Sequence, residues 1–554
     1  MRKSVVVHPF LFAVFPILFL YSHNIERTSI TDFVAPAVIS ALSASSLWFL
    51  LSLAFKSKQK AGLLVSLSVL LFFSYGHLCD AVGDLAFSIR GTIIGADELL
   101  VFVCSLLFFL GAYLLAKSTK NFSVLTKALN VAAVFLLCIS LIGIGSHALR
   151  TGLARHQHGW PGDTMEASVD WDKPDRFPDI YYIILDGYAR ADILEELYRY
   201  DNGEFLDYLK RRGFCVAHKS KSNYCQTALS LASSLNLQYI QELINRIHDD
   251  SRNTSLLRNL IRESGIARFL RQHGYTFVAF SSGYSFTEMK SADIYMSPSQ
   301  ALSESQNLLI NRTPLRPLLT KLPLKSQYDL HRDRLLYVFD ELPRVSKTDS
   351  PVFVFAHIMA PHPPFVFGED GEPIRCDGEF SYHDGSHYTR DTGRDEYKRN
   401  YIRQLVFINK KTKEAIDRIL AAAPEPPVII LQSDHGPGSM LEWDDPKRTN
   451  LEERMSILNA YHLPDDGHEL LYDEITPVNT FRIICNHYFG TSYDLLRDES
   501  YFSNHQHPYR FINVTDQTTC RIHPECSTLA VGAPPPRTTP ARSKPTPRED
   551  HKTQ

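Results

Sequence analysis

Two ionisable residues that directly follow a short apolar run could together bind a metal ion. The run, Val428 to Leu431, is typical of a buried strand, and Ser433-Asp434-His435-Gly436 follows it. Carboxylate and imidazole groups are ligands for zinc and related ions, and open α/β sheets bind ligands beyond the carboxyl ends of their strands. Taken alone, the tetrapeptide is equally compatible with a polar turn that ends a strand. A metal site therefore requires partners from other strands.

Three other strand-like runs also end in polar or ionisable residues. These runs and the residues after them are 179–185 with Asp186, 275–280 with Ser281, and 352–356 with His357. A parallel sheet gathers such strand ends on one edge. We therefore expect Asp186, His357, Asp434 and His435 to lie at that edge, together with His362, which follows the third run closely. His357 is interpreted as a satisfied histidine at a strand end, whereas His362, in a His-Pro-Pro-Phe segment, is a candidate for the site.

A cluster of hydroxyl residues opens a predicted helix after the first of these strands. Thr227 begins the helical stretch 227–247. The free N–H groups at a helix start suit a phosphate or sulfate, and a hydroxyl there could attack phosphorus if a divalent metal lowered its pKa. A simple helix cap is the alternative interpretation of Thr227. The neighbouring hydroxyls that compete with it are Ser222, Ser230, Ser233 and Ser234.

The elements that position these residues alternate between strand and helix from residue 177 onward, which favours an α/β domain with a mostly parallel central sheet. Helices are predicted at 191–212, 266–273 and 396–422, and residues 369–399 are interpreted as an inserted loop. The predicted boundaries are a linker at 148–176, a catalytic domain at 177–529, and a Pro-rich tail at 530–554 that should be disordered.

Residues 1–147 have a different composition, with apolar stretches at 8–22, 33–55, 61–79, 97–116 and 128–146. Most of them approach the ~20 residues that a helix needs to span a bilayer. We therefore predict a transmembrane domain of five helices. Lysines and arginines concentrate before the first stretch and in the second and fourth connections, which marks those parts as cytoplasmic. The sequence thus predicts a multi-pass protein of the inner (plasma) membrane with an extracytoplasmic C-terminal domain.

Charge and cysteine usage limit the possible partners. The formal net charge of −3 gives no reason to expect nucleic-acid binding. Six of the nine cysteines lie in the part predicted to be exported, where disulfides are permitted. Cys215 with Cys225 and Cys520 with Cys526 are close enough in sequence to pair, although spacing alone does not define connectivity. The oligomeric state stays open.

The combination of Asp186-Gly187, a later helix-opening Thr227, His362-Pro-Pro-Phe and Ser433-Asp434-His435-Gly436 resembles the alkaline phosphatase/sulfatase superfamily. The likeness is strongest to its membrane-bound branch with five N-terminal helices, which includes lipoteichoic acid synthases and phosphoethanolamine transferases. The resemblance implies that Asp186, Asp434 and His435 bind a metal, that Thr227 is the nucleophile and a fourth ligand, and that His362 binds substrate. It also suggests four residues that could line the pocket, namely Tyr284, Glu288, Arg454 and Asn459.

This ligand set combines nitrogen and oxygen donors, which suits Zn²⁺, with Mn²⁺ as the alternative. The expected function is transfer of a phosphate-linked head group from a membrane phospholipid to an envelope glycan or lipid acceptor through a covalent phospho-threonine. Hydrolysis of a phosphate or sulfate ester by water is the alternative, and an inactive membrane scaffold is a third. Formylglycine sulfatases require Pro and Arg two and four residues after their Cys or Ser. Counting from Cys225, those positions hold Thr227 and Leu229, so that route is not expected.

Overall fold

The computed structural model describes residues 5–25, 28, 30–83, 87–89, 92–157, 177–244, 250–298, 304–317, 325–345, 350–374 and 380–518. Within these ranges a group of apolar helices is followed by an α/β domain. The fifth helix continues to Gln157, so the first ten residues of the proposed linker are helical. The rest of that linker and the Pro-rich tail lie outside the described residues.

The apolar helices are α1 (His8–His23), α2 (Thr31–Phe55), α3 (Lys58–Val82), α4 (Ala96–Lys117) and α5 (Ser123–Gln157). Four of them, α2 to α5, are long and apolar enough to cross a membrane, whereas α1 has 16 residues. Helix α1 packs against α2, α3 and α5. Large apolar side chains such as Leu50, Phe102 and Phe135 are exposed on the outside of the group. An apolar exterior of this kind suits a lipid environment. A short hairpin, β1 (Phe87–Ile89) and β2 (Thr92–Ile94), connects α3 to α4.

A seven-stranded sheet forms the centre of the α/β domain, in the order β4-β9-β8-β3-β7-β5-β6. Its strands are β3 (Ile180–Leu185), β4 (Cys215–Val216), β5 (Thr276–Phe280), β6 (Ile294–Met296), β7 (Val352–Ile358), β8 (Val428–Gln432) and β9 (Asn459–His462). The five strands from β8 to β6 are parallel, and β9 and β4 add an antiparallel edge. The predicted α/β fold with a mostly parallel sheet is thereby confirmed.

The register of the sheet brings the functional strand ends to one edge. Ile184 of β3 pairs with His357 of β7 and with Gln432 of β8. Asp186 lies two residues beyond Ile184, and Asp434 lies two residues beyond Gln432, the partner of Ile184. The two aspartates are therefore level with each other along the strand direction. Every residue of β3, β7 and β8 is buried, because helices cover both faces of the sheet. Continuous burial on both faces is what parallel strands require.

The helices of this domain are α6 (Ala191–Tyr198), α7 (Gly203–Arg211), α8 (Thr227–Ser234), α9 (Ile240–Leu243), α10 (Ser255–Arg262), α11 (Gly265–Gln272), α12 (Glu304–Asn311), α13 (Gln327–Glu341), α14 (Gly385–Thr392), α15 (Arg394–Ala422), α16 (Leu451–Met455) and α17 (Pro477–Phe489). Short 3-10 turns lie at Leu342–Arg344, Gly467–Leu470 and Thr515–Thr518, and a small hairpin pairs β10 (Tyr501–Phe502) with β11 (Ile512–Asn513).

Three predicted elements differ from the structure. The helix expected at 191–212 is interrupted at Arg199, whose left-handed backbone (φ 59°) ends α6. The helix expected at 227–247 is likewise interrupted near Leu237 (φ 55°). The segment interpreted as an inserted loop contains α14 and the start of α15. A left-handed position is rare for a residue other than glycine, so a periodic pattern does not reveal either break.

The thiols considered for a disulfide are also not paired as proposed. Cys215 and Cys225 are both free. The Cys225 thiol instead donates to the Ser503 carbonyl at 3.2 Å. The other pair, Cys520 with Cys526, lies outside the described residues.

The α/β domain contacts the ends of the apolar helices directly. Helix α12 packs against α2, and Lys290 forms an ion pair with Asp32 near the start of α2 at 2.9 Å. The Gly76 amide of α3 donates to the Arg312 carbonyl at 3.1 Å. These contacts hold the α/β domain against the N-terminal helices.

Candidate active site

The Asp434–His435 pair lies on a turn whose shape depends on glycine. The Ser433 hydroxyl donates to the His435 carbonyl at 2.7 Å and closes the turn. A Cβ atom on Gly436 would lie 2.0 Å from the Glu453 carbonyl oxygen, so only glycine fits. His435 Nδ1 lies 2.9 Å from the Gly436 carbonyl, which places the ring proton on Nδ1. Nε2 then carries a lone pair that can bind a metal ion.

Asp186 faces this pair from the next strand. Its amide donates to the Ile358 carbonyl at 2.9 Å, which anchors the end of β3 to β7. Gly187 follows in a left-handed conformation (φ 71°), and its amide donates to Asp434 Oδ1 at 3.3 Å. The tight turn therefore links the two carboxylates through a backbone hydrogen bond.

Thr227 is the first residue of α8, and its hydroxyl lies next to the Asp434–His435 pair. Thr227 Oγ1 lies 3.1 Å from His435 Nε2. The competing hydroxyls have other partners. Ser222 donates to the Asp434 carbonyl at 2.5 Å and Ser233 to the Gln238 carbonyl at 2.7 Å. Among the five candidate hydroxyls, Thr227 has the best position to act on a ligand at this edge.

The donor atoms have the spacing that a single metal ion requires. His435 Nε2 lies 3.4 Å from Asp434 Oδ2 and 3.7 Å from Asp186 Oδ1. Donors about 2.0 to 2.1 Å from one tetrahedral ion lie about 3.3 Å apart. Asp186 Oδ1 and Asp434 Oδ2 are buried and accept no hydrogen bond within the described residues. Buried oxygens without donors are costly unless a cation neutralises them, so this set fits a divalent metal.

His357, at the end of β7, contacts Asp186 directly. Its Nε2 is 3.1 Å from Asp186 Oδ2, and its Nδ1 is 2.9 Å from the Thr287 hydroxyl. Asp186, His357 and Asp434 offer donor atoms that all lie within 4.8 Å of one another. The sequence already indicated that His357 lies at this edge, and its interpretation as a satisfied strand-end histidine stays a prediction.

His362 also lies at this edge. Its amide donates to the Asp186 carbonyl at 3.0 Å, and its Nδ1 lies 2.5 Å from the Pro363 carbonyl. Its ring centroid is 6.1 Å from that of His435. The Nε2 atom is left to face the cavity, 4.0 Å from the Asp384 carboxylate. His362 is therefore close enough to contact a group bound at Thr227.

Two charged residues complete the site. Arg454 forms an ion pair with Asp384 at 2.7 Å, and their side chains are only 1% and 11% exposed. The only local signal at Asp384 was that of a helix cap, since it precedes α14 and accepts the Gly385 amide. The other residues suggested for the pocket differ in position. Tyr284 lines the cavity as Arg454 does, whereas Glu288 anchors the Gly283 amide and Asn459 bonds Gln432 inside the sheet.

The electrostatics favour the ionisation states that bind metal. Burial raises the pKa of Asp186, but the imidazoles of His362, His357 and His435 outweigh it and hold that pKa below its ordinary value. Burial lowers the pKa of His435, and the nearby Arg454 cation lowers it further against the opposing carboxylates. An anionic carboxylate and a neutral imidazole are the forms that act as ligands.

A cavity of about 480 Å³ opens on Thr227, His362 and His435. Part of its wall comes from the α/β domain, including the aromatic side chains of Tyr284, Phe286, Tyr382 and Trp443. Another part comes from the N-terminal helices and their connection, namely Leu20, Asn24, Thr28 and Phe33. The catalytic edge and the ends of the membrane-type helices therefore share one cavity.

The fold and site together define an α/β enzyme whose ionisable residues converge beyond the carboxyl ends of parallel strands. The family model for sulfatases matches residues 178–485, which is more than half of the chain. The chain belongs to the sulfatase family and is an enzyme of the alkaline phosphatase/sulfatase superfamily. This family acts on phosphate or sulfate esters by transfer or hydrolysis.

Solved structures with a similar arrangement include the zinc complex of the C-terminal periplasmic domain of EcEptC from Escherichia coli. It is 12% identical, with a TM-score of 0.39 over 62% of this chain and 94% of that one. The corresponding domain of phosphoethanolamine transferase EptC from Campylobacter jejuni is 14% identical, with a TM-score of 0.34 over 57% and 90%. BT1596, a 2-O GAG sulfatase, is 14% identical, with a TM-score of 0.37 over 60% and 74%. No curated protein matches the chain.

Proposed function

We propose that the protein is a metal-dependent phosphotransferase of the inner (plasma) membrane, with its catalytic domain outside the cytoplasm. It moves a phosphate-linked head group from a membrane phospholipid to an envelope glycan or lipid acceptor through a covalent phospho-threonine at Thr227. The observation that carries this proposal is the shared cavity, which is lined by both Thr227 and Leu20 of α1. A donor whose acyl chains stay in the bilayer could reach Thr227 only through such a cavity.

Asp186, Thr227, Asp434 and His435 are the residues that would hold the cation, with Zn²⁺ favoured by the mixed donor set. What a bound divalent cation supplies at such a site is a lower pKa for the threonine hydroxyl and a positive charge beside the phosphoryl oxygens. Asp434 and His435 keep their donor atoms in place through the glycine turn, so little reorganisation is needed when a substrate binds.

The first chemical step uses the Thr227 hydroxyl. Its oxygen attacks phosphorus, the bond from phosphorus to the diacylglycerol oxygen breaks, and that oxygen leaves with the proton that the Thr227 hydroxyl gives up. The N–H groups at the start of α8 face the developing negative charge. His362 lies near enough to contact the phosphoryl oxygens or the leaving oxygen, consistent with a substrate-binding role.

The second step resolves the phospho-threonine. A hydroxyl of the acceptor attacks phosphorus, the bond to Thr227 Oγ1 breaks, and the proton of the acceptor returns to the threonine oxygen. Hydrolysis, with water in place of the acceptor, is the second candidate function and is favoured by membership of the sulfatase family. An inactive scaffold is disfavoured because the buried carboxylate oxygens of Asp186 are arranged for a cation.

The test is the mass of the intact full-length chain after incubation, in detergent, with phospholipids labelled in the head group. The wild type and Thr227→Ser should gain the mass of the phosphate-linked head group, and Thr227→Ala should not. Ser230→Ala is the matched control, because Ser230 is also a buried hydroxyl residue three positions further along α8, and it should keep the adduct. An adduct that survives in Thr227→Ala would disprove the assignment. Equal release of free head group with and without an acceptor would indicate a hydrolase.

A further inference from the structure

One arginine connects the two loops that carry Thr227 and the Asp434–His435 pair. Arg454 is 1% exposed. Its Nε and Nη2 atoms donate to the Cys225 carbonyl at 2.9 and 2.6 Å, and its Nη1 donates to the Gly436 carbonyl at 3.1 Å. Cys225 lies two residues before Thr227, and Gly436 directly follows His435. The guanidinium therefore bridges the backbone on both sides of the 3.1 Å contact between Thr227 and His435.

The remaining donors of Arg454 bind Asp384. Nη1 lies 3.3 Å from Oδ1 and Nη2 lies 2.7 Å from Oδ2, a bidentate arrangement. These five contacts account for all five N–H groups of a guanidinium. Arg454 thus has no donor left for a substrate, although it lines the cavity. Trp443 covers it, with the ring centroid 5.4 Å from the guanidinium carbon.

Asp384 keeps this cation in place. A buried arginine without a carboxylate partner would be strongly destabilising. Burial raises the pKa of Asp384, but Arg454 outweighs it, so that pKa lies below its ordinary value and the carboxylate stays charged. Asp384 also accepts the Gly385 amide at the start of α14. One ion pair therefore joins the nucleophile loop, the Asp-His turn and the cavity wall.

We propose that Arg454 is a positioning residue, held by Asp384, that fixes Thr227 relative to the Asp434–His435 pair and so preorganises the ligand set for the metal. The part of this inference that concerns Thr227 as a nucleophile rests on the proposed function. The part that concerns the ligand set does not. Lysine cannot replace Arg454, because a single ammonium group cannot reproduce five donors in a planar fork.

The chain offers a matched control in Arg482 of α17. It is also buried, donates to the Leu237 and Asp494 carbonyls at 2.8 and 2.6 Å, and lies 5.7 Å from the ring centroid of Tyr493. Its contacts resemble those of Arg454 but involve no residue of the candidate site. Loss of a buried guanidinium as such should therefore affect both arginines, whereas loss of positioning should affect only Arg454.

The experiment measures Zn²⁺ affinity of the full-length chain in detergent by competition with a chelator, for the wild type, Arg454→Lys, Asp384→Asn and Arg482→Lys. Arg454→Lys and Asp384→Asn should bind zinc about 10- to 100-fold more weakly, as when a group that orients metal ligands is lost. Arg482→Lys should lower the melting temperature but keep the wild-type zinc affinity. Millimolar guanidinium chloride should restore zinc affinity to Arg454→Ala without changing that of Arg482→Ala.

Several results would overturn the inference. These are wild-type zinc affinity in Arg454→Lys, equal weakening in Arg482→Lys, or a wild-type chain that binds no zinc. Should Arg454→Lys fail to fold, Asp384→Asn decides by the same measurement, because it keeps the arginine and the shape of the carboxylate. A wild-type chain that binds zinc but forms no adduct with any lipid would contradict the proposed function and leave this inference to be judged by the zinc affinities alone.

Discussion

Single atoms determine the shape of this site, and Gly436 is the clearest case. A Cβ atom there would lie 2.0 Å from the Glu453 carbonyl and 3.0 Å from the Arg454 carbonyl, both of them backbone atoms that cannot rotate away. The Gly436 amide also donates to the Arg454 carbonyl at 2.7 Å. An added methyl group would therefore push the Asp-His turn away from Arg454 and change the distances among the metal ligands.

We expect Gly436→Ala to destabilise the protein by about 1 to 3 kcal/mol, the usual cost of overpacking, and to weaken zinc binding as well. Melting temperature and chelator competition measure the two effects. Gly145→Ala in α5 is the control, because a Cβ there meets nothing within 4 Å, and it should change neither quantity. Normal zinc affinity in Gly436→Ala would show that the turn tolerates displacement.

His357 gives a second prediction at the residue scale. It contacts Asp186 on one side and the Thr287 hydroxyl on the other, so it can orient the carboxylate that the metal requires. His357→Gln should lower zinc affinity about 10- to 100-fold, because groups that hold metal ligands in place usually contribute this much. His331→Gln, at an equally buried histidine outside the ligand set, should leave zinc affinity unchanged. Equal zinc affinity in His357→Gln and wild type would exclude the role.

At the scale of elements, helix α13 supports the cavity wall through a buried histidine. His331 Nδ1 lies 3.2 Å from the Tyr382 hydroxyl, which also accepts from Arg334 at 2.9 Å. Burial lowers the pKa of His331 well below its ordinary value, and the nearby side chains of Arg334, His362 and Arg332 lower it further, while a hydrogen bond with the Met359 backbone opposes this. The histidine is therefore neutral in the folded protein at pH values where it is protonated in the unfolded chain.

This difference predicts that stability falls as the medium becomes acidic. At pH values above the pKa of His331 in the unfolded chain, about 6.5, the histidine is neutral in both the folded and the unfolded state. Its protonation then takes nothing from the free energy of unfolding. Below that pH the unfolded chain binds one proton more, so the free energy of unfolding drops by up to about 1.4 kcal/mol per pH unit from this group. Melting temperatures of His331→Gln between pH 7 and pH 5 should decline less steeply than those of the wild type. Parallel curves would contradict the assignment.

Elements differed in how far the sequence could predict them. The strands around Asp186 and Asp434 were recognisable because parallel strands are apolar on both faces and end abruptly in polar residues. The divisions at Arg199 and Leu237 were not, because a left-handed backbone leaves no mark in apolar periodicity. Asp384 was missed as a member of the site because its partner, Arg454, is distant in sequence. Contacts of this kind depend on sheet register and loop packing. Neither can be deduced from the spacing of residues in a single sequence.

At the scale of the whole molecule, the catalytic domain lies on the N-terminal helices, and the cavity is lined by residues of both regions. The ion pair of Lys290 with Asp32 and the backbone bond from Gly76 to Arg312 hold the two regions together. The packing of α12 on α2 adds to these contacts. With this attachment, Leu20 and Phe33 line the same cavity as Thr227.

A lipid donor and a small soluble donor should therefore respond differently to a change at the membrane end of this cavity. Leu20→Trp places a larger side chain in the cavity at a position that is not itself a candidate catalytic residue. We expect it to lower kcat/KM for a long-chain phospholipid at least about tenfold, a loss of about 1.4 kcal/mol in transition-state binding. A short, water-soluble phosphodiester with the same head group should react at the wild-type rate. Leu50→Trp, on the exposed outer face of α2, is the control and should leave both substrates unaffected. Equal loss on both substrates in Leu20→Trp would mean that the substitution disturbs the catalytic edge itself, and no loss on either would mean that acyl chains do not pass this end of the cavity.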